Sequence, residues 1–373
     1  MTADPARAFV HGREPLAAVL LVNLGTPAAP TPAAVRRYLA EFLADPRVIE
    51  LPRWLWLPIL HGVILRTRPA RSARAYRKIW GASGSPLLSG SQALTEGISR
   101  ELSTAPGRIE VHLAMRYGEP GITQVLSALR DRHIRRLLVL PLYPQYSATT
   151  TASVFDAVCA QLQGWRSLPE VHFVRDYYAE PDYAEALAGR VREHWRQHRP
   201  GDHLLFSFHG LPERYFRAGD PYYCHCQATA RRVAECLQLA PERYTVAFQS
   251  RVGGRRWLQP YTDQELQRLA VAGVDRVDVI CPAFAVDCLE TLEEIAIGER
   301  ERFLAHGGRE LCYIPALNAG DDHIDLLCGL IRRHSAHWPE WSAPMMAELG
   351  QQLADTESRQ QAMLARYPGG IAP

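Results

Sequence analysis

Three short segments in the first half of this chain each resemble a counterpart in the second half, in the same order. LVNLGTP (21–27) aligns with FSFHGLP (206–212), which places Gly25 on Gly210 and Pro27 on Pro212. VHLAMRYG (111–118) leads into a helix-like stretch as VAFQSRVGG (246–254) does, and LLVLPLYP (137–144) leads into one as VDVICPAF (277–284) does. Each set runs strand, loop, helix. A chain of 373 residues has length for two domains of about 150 residues each. The repeat therefore predicts an α/β protein of two similar Rossmann-like domains, with parallel four-stranded sheets and a cleft between them.

The coarse pattern agrees. Short β-branched runs at 17–24, 108–115, 135–142, 203–209, 243–250 and 276–283 alternate with amphipathic stretches such as 32–44, 122–132, 229–239 and 262–273. In such sheets ligands bind outside the carboxyl ends of the strands. Tyr117, Tyr143, His209, Arg251 and Phe284 all fall there. No G-x-G-x-x-G follows the first strand and no G-x-x-x-x-G-K-S/T occurs, so a glycine-loop nucleotide site is not expected. A net charge of +2 gives no electrostatic reason for a nucleic-acid partner. The most apolar window, 54–65, is twelve residues long, against about 20 for a spanning helix. The first fifteen residues lack an apolar stretch long enough for a secretory signal.

LLFSFHGLPERYFRAGDPYYCHC (204–226) stops an apolar run at His209. A lone histidine ending such a run is commonly a core residue, but a place on the ligand-binding rim argues for chemistry. ICPAFAVDCLETLEEIAIGERERF (280–303) carries Asp287, Glu290 and Glu294 at i, i+3 and i+7, which would put three carboxylates on one α-helical face. The ordinary reading is a solvated acidic surface. The other is a half-buried row, lined by Phe284 and Val286, whose repulsion is relieved by protons or a divalent cation. Imidazole facing carboxylate suits loosely held Fe²⁺ or Zn²⁺, and the same pair can exchange protons.

FSFHGLPERYFRAGDPYY (206–223), FQSRVGGRRWLQPYTDQEL (248–266) and CPAFAVDCLETLEEI (281–295) resemble, in order and spacing, signature blocks of the ferrochelatases, which insert ferrous iron into a porphyrin. LLVNLGTP, YRKIWGASGSPL, AMRYGEP and LPLYPQYSATTT in the first half look similar to that family as well, and the resemblance covers roughly residues 16–330. It implies that His209 faces the porphyrin centre and takes pyrrole protons. Glu290 would be the opposing carboxylate, and Asp287 and Glu294 would continue an acidic path for metal and protons. Phe284, Trp257, Tyr117 and Tyr146 would pack around the macrocycle. Arg116, Ser85, Arg77 and Lys78 would meet propionates or line the cleft. The implied substrates are Fe²⁺ and protoporphyrin IX, with protohaem as product and no required cofactor. Coproporphyrin or another tetrapyrrole, and a carrier that binds without catalysis, stay open beside this reading.

LPRWLWLPILHGVIL (51–65) runs into a stretch with Arg68, Arg71, Arg74 and Arg77 at every third residue. Two readings are open: a core helix followed by a solvated basic one, or an apolar lip over the cleft that also rests on a membrane. The expected location is the cytoplasm, with peripheral contact at the inner face of the cell membrane, as monomer or homodimer. The eight cysteines are expected as free thiols. Some ferrochelatases hold a 2Fe-2S cluster on C-terminal cysteines, and no cysteine follows Cys328 here. An internal cluster on Cys224, Cys226 and Cys236, with Cys159 as fourth ligand, is the alternative to free thiols. The expected divisions are a flexible start (1–15), a first domain (16–160) containing the lip (51–78), a second domain (161–320) with the His/Glu site, a helix packing back on the first domain (321–345), and a polar tail (346–373).

Overall fold

The repeated segments build the same sheet twice in the structure, a computed structural model that describes residues 16–251 and 256–366. β1 (Leu16–Gly25), β2 (Ile109–Tyr117), β3 (Ile134–Pro141) and β4 (Glu170–Phe173) form one sheet in the order β2-β1-β3-β4. β5 (His203–His209), β6 (Tyr244–Gln249), β7 (Arg276–Ile280) and β8 (Glu310–Ile314) form the other in the order β6-β5-β7-β8. Every pairing is parallel. In this order β1 and β5 stand where the connections reverse direction, so the crevice beyond each carboxyl end is the expected ligand site.

The period of two explains the layering. Along β1, Ala17, Val19 and Leu21 point to one core while Ala18, Leu20 and Val22 point to another, and none of these six is exposed. The first of these cores is shared between the halves. It joins Val19, Leu21, Leu138 and Leu140 to Leu204, Phe206, Phe208 and Ile280, with the helices Pro86–Leu102, Pro181–Gln197, Tyr222–Cys236 and Asp321–His334 between the sheets. The first sheet also runs past residue 160, where the sequence reading ended it. Glu170–Phe173 pairs with Arg136–Val139 and belongs to the first half. A four-residue strand on a sheet edge carries too little periodicity to be read locally.

The register explains the repeated glycine. Asn23 pairs with Met115 as Phe208 pairs with Phe248, so Leu24 holds in the first half the strand-end position that His209 holds in the second. At Gly25, φ is +106° and a Cβ would sit 1.8 Å from the Tyr117 carbonyl oxygen; at Gly210 it would sit 2.7 Å from that of Gln249. Only glycine lets the neighbouring strand pass this close. Gly210 N–H also donates to that Gln249 oxygen at 2.8 Å, which fixes the backbone beside His209.

Candidate active site

His209 closes β5 and is half-buried. Its Nδ1 lies 2.7 Å from the Gly210 carbonyl oxygen. A carbonyl only accepts, so Nδ1 carries the hydrogen and Nε2 keeps a lone pair for a proton or a metal. Next to it in the sheet, Gln249 works as a bracket: its Oε1 accepts from Ser207 Oγ (2.7 Å), and its Nε2 donates to the Glu290 carbonyl oxygen (2.8 Å). The end of β5 and the start of the acidic helix are thus held by one side chain.

That helix differs from the expected one. Glu290–Glu299 is a π-helix, whose i→i+5 bonding widens the turn beyond 3.6 residues. Side chains four or five apart then come into line, so Glu290 and Glu294 share a face and Glu299 follows them. Asp287 precedes the helix and leaves the expected stripe. Its carboxylate accepts from Tyr313 Oη (2.5 Å), Thr291 Oγ1 (3.0 Å), Asn318 Nδ2 (2.8 Å) and the Ala316 N–H (3.3 Å). These bonds make it a brace between the helix start and the segment after β8.

Glu294 is anchored by Ser250, whose backbone N–H (2.8 Å) and Oγ (2.5 Å) bind its two oxygens. Burial pushes this carboxyl above its ordinary value, and Glu290 adds to the push; the Ser250 bonds and the nearby His209 oppose it. Burial also raises the Tyr38 and Tyr76 phenols well above theirs, and in both the Glu290 charge contributes. Glu290 is thus within electrostatic reach of Glu294, Tyr38 and Tyr76, and Glu294 lies near His209. No three of His209, Asp287, Glu290 and Glu294 gather their ligand atoms within 4.8 Å, so these side chains form no closed coordination shell.

The other expected residues are dispersed. Tyr117 is buried, and its hydroxyl donates to Asp45 at 2.8 Å. Arg116 binds the same Asp45 oxygen and Ser153. Burial works against ionised Asp45, yet bonds from Ser153, the Arg47 N–H and Tyr117 hold its pKa below the ordinary value. Ser85 is buried and accepts from Thr26 Oγ1 at 2.8 Å, tying the loop after β1 to the helix Pro86–Leu102. Phe284 packs against both the shared core and the outer core of the second half. Trp257 lies against Gly210 and lines a 290 Å³ hollow with Phe216, Tyr223 and Leu258. Tyr146, whose ring lies under the Arg175 guanidinium, lines another hollow of 190 Å³. Lys78 pairs with Glu293 at 2.8 Å, while Arg77 is exposed. Arg251 pairs with Asp263 at 2.7 Å; residues 252–255 of the quoted blocks lie outside the described residues.

The four cysteines of the cluster alternative are not brought together. Cys224, Cys226 and Cys236 ride one helix, Tyr222–Cys236. Two positions apart means opposite faces of an α-helix, and ten positions mean about 15 Å of rise. Cys226 is buried and Cys224 exposed, and no group of metal-ligating atoms among the described residues includes them or Cys159.

Sequence reasoning missed Gln249, Ser250, Tyr38 and Tyr76. For Gln249 and Ser250 a signal existed, since both lie at a strand end on the same rim. For the tyrosines none did, because their distance from Glu290 in the chain exceeds any local pattern.

The family model described as Ferrochelatase matches residues 17–335. A relative named Ferrochelatase from Azoarcus sp. (strain BH72) is 53% identical over 338 residues, covering 91% of this chain and 93% of that protein. Another of that name, from Thioalkalivibrio sulfidiphilus, is 49% identical over 364 residues and covers 97% and 98%. Among solved structures, SirB from Bacillus subtilis with Fe3+ shares the fold at 11% identity and a TM-score of 0.51, covering 86% of this chain and 96% of that one.

Proposed function

The chain belongs to the ferrochelatase family, enzymes that insert iron into a porphyrin, and from that premise we propose how its residues carry the insertion. The reaction exchanges two pyrrole N–H protons for one Fe²⁺. No electron moves, so no resident redox cofactor is needed. His209 Nε2 takes the protons on one side of the ring, and Glu290 faces it and, with Glu294, passes metal and protons along the π-helix. The single observation that carries this reading is the contact of His209 Nδ1 with the Gly210 carbonyl oxygen. With Nδ1 engaged by Gly210 O at 2.7 Å, Nε2 is the basic nitrogen at the rim. The raised pKa of Glu294, caused first by burial, supports a carboxyl that holds and releases a proton.

The ring is protoporphyrin IX, a flat apolar disc lodged at the rim between the halves, with protohaem as product. Arg116 is already committed to Asp45. Arg77, exposed and without an ion pair among the described residues, is the freer cation for a propionate. The lip carries exposed Trp54, Leu55, Ile59 and Val63 beside exposed Arg68, Arg71 and Arg74. This combination supports peripheral contact with an anionic membrane, which would deliver an apolar ring. No helix among the described residues is long and apolar enough to cross a membrane.

The test is anaerobic incubation of the purified chain with Fe²⁺ and either protoporphyrin IX or coproporphyrin. Protohaem formation with faster turnover of protoporphyrin is expected. Turnover of coproporphyrin alone would change the substrate, and turnover of neither ring would favour a carrier.

A further inference from the structure

A second group of metal-ligating side chains lies far from this rim. His194, near the end of the helix Pro181–Gln197, meets Asp278 in the middle of β7 and its cross-strand neighbour Cys312 on β8. One ligand atom from each falls within 4.8 Å of the others. Asp278 pairs with Leu204 on β5, five residues before His209, or roughly 16 Å along the strand.

Asp278 has no exposed side-chain surface, and its two oxygens are treated differently. Oδ2 accepts from Trp195 Nε1 and the Gly201 N–H, both at 2.7 Å. Oδ1 has only a long contact with Arg276 Nε at 3.5 Å and faces His194 Nε2 at 3.7 Å. The latter distance is too long for a hydrogen bond, and His194 Nε2 is buried without a partner although its side chain is only 10% exposed. Ligand atoms around a tetrahedral zinc stand about 3.3–3.8 Å apart, given bonds of about 2.0–2.3 Å. For a nitrogen and an oxygen ligand the separation is about 3.3–3.5 Å, and the N···O separation of 3.7 Å exceeds that by a few tenths of an ångström, within reach of a small side-chain shift.

We propose that His194, Asp278 and Cys312 bind a zinc-type divalent cation that fastens the helix Pro181–Gln197 to β7 and β8.

Charge favours an occupant. Asp278 and Glu310 together face one guanidinium, Arg276, which contacts both. These groups by themselves therefore sum to one net negative charge, with His194 neutral and Cys312 a thiol. A divalent ion with Cys312 as thiolate brings the sum to zero, and the displaced thiol proton goes to solvent. Burial lowers the His194 pKa and so favours the neutral, ligating imidazole. It raises the Cys312 thiol to about 11, which the metal must overcome by displacing the proton. Cys312 is half-buried and offers the entry side, where water would complete the fourth position.

The test is an anaerobic Co²⁺ titration of the chelator-stripped full chain, with zinc competition. A thiolate-to-cobalt charge-transfer band is expected in the wild type and in His209→Ala, and zinc should bleach it. The band should vanish in Cys312→Ser and His194→Gln. Cys312→Ser should bind one zinc fewer per chain, lose the zinc-induced rise in Tm, and keep its insertion activity. Asp278→Asn is a poor probe because it disturbs the Trp195 and Gly201 bonds. A band or zinc content in Cys312→Ser equal to wild type overturns the proposal. So does a wild type without any thiolate band.

Discussion

His209→Ala removes the base and leaves the apolar surfaces of the rim in place. Insertion should fall by about 10²–10⁴-fold, while porphyrin binding, followed by tryptophan fluorescence quenching, changes little. Retention of more than about a tenth of the wild-type rate would contradict the role normally assigned to such a base. Glu290→Gln keeps the shape and the backbone bond to Gln249 and should mainly lower kcat. Asp287 should behave otherwise. Its carboxylate takes four hydrogen bonds, so Asp287→Ala should cost about 2–4 kcal/mol of stability by stranding buried donors. A denaturation midpoint equal to wild type would remove it from that bracing role. Glu299 supplies a pH test. It is buried with Oε2 unpartnered, and burial first of all pushes its pKa from 4.5 to about 7. The folded chain thus binds the proton more tightly than the unfolded one. The stabilisation is complete below pH 4.5 and is lost as pH rises through about 7. Glu299→Gln mimics the protonated form. Above neutrality it should be more stable than wild type by up to about 3 kcal/mol, with the gap closing toward pH 4.5. A gap independent of pH would show that this carboxyl does not titrate in the folded chain.

Among the elements, the π-helix Glu290–Glu299 matters because its register decides which carboxylates share a face. A sequence of this kind reads as α-helical, and the i, i+3, i+7 spacing of Asp287, Glu290 and Glu294 fits that period. The wider turn arises in tertiary context: Gln249 binds the Glu290 carbonyl, Ser250 binds the Glu294 side chain, and Lys78 pairs with Glu293 from the lip helix Leu65–Ile79. The lip itself was legible as an apolar run followed by arginines. Trp54 at 78% exposure and Val63 at 54% indicate that this run is not simply core. Trp54→Ser with Val63→Ser should reduce sedimentation with anionic vesicles and leave insertion into detergent-dispersed porphyrin unchanged. Equal vesicle binding would return the lip to a role in the free enzyme alone. By its pitch the helix Tyr222–Cys236 holds Cys224 and Cys226 on opposite faces and Cys236 about 15 Å further along. Serine at Cys224 and Cys236 should leave iron and acid-labile sulfide content unchanged.

At the level of the whole molecule, one core runs through both halves, so thermal unfolding should be a single transition. At Gly97, on the helix Pro86–Leu102, an added Cβ would come within 2.4 Å of Ile324 on the helix Asp321–His334. Gly97→Val should therefore push the late helix off the first half and lower stability by about 1–3 kcal/mol; an unchanged Tm would mean that this contact relaxes freely. By itself the sequence determined the α/β class, the doubled sheet and the rim on which His209 stands. Alternation, turn residues and repeats are local, and a parallel sheet places strand ends together whatever loops follow. Tertiary structure alone decided the rest. Arg116 and Tyr117 turn to Asp45, more than seventy residues earlier in the chain, and Gln249 reaches Glu290 across forty-one residues. His194, Asp278 and Cys312 converge from a helix and two strands. Such contacts carry no local period, because they form only where packing brings remote segments within a few ångströms and removes the water between them.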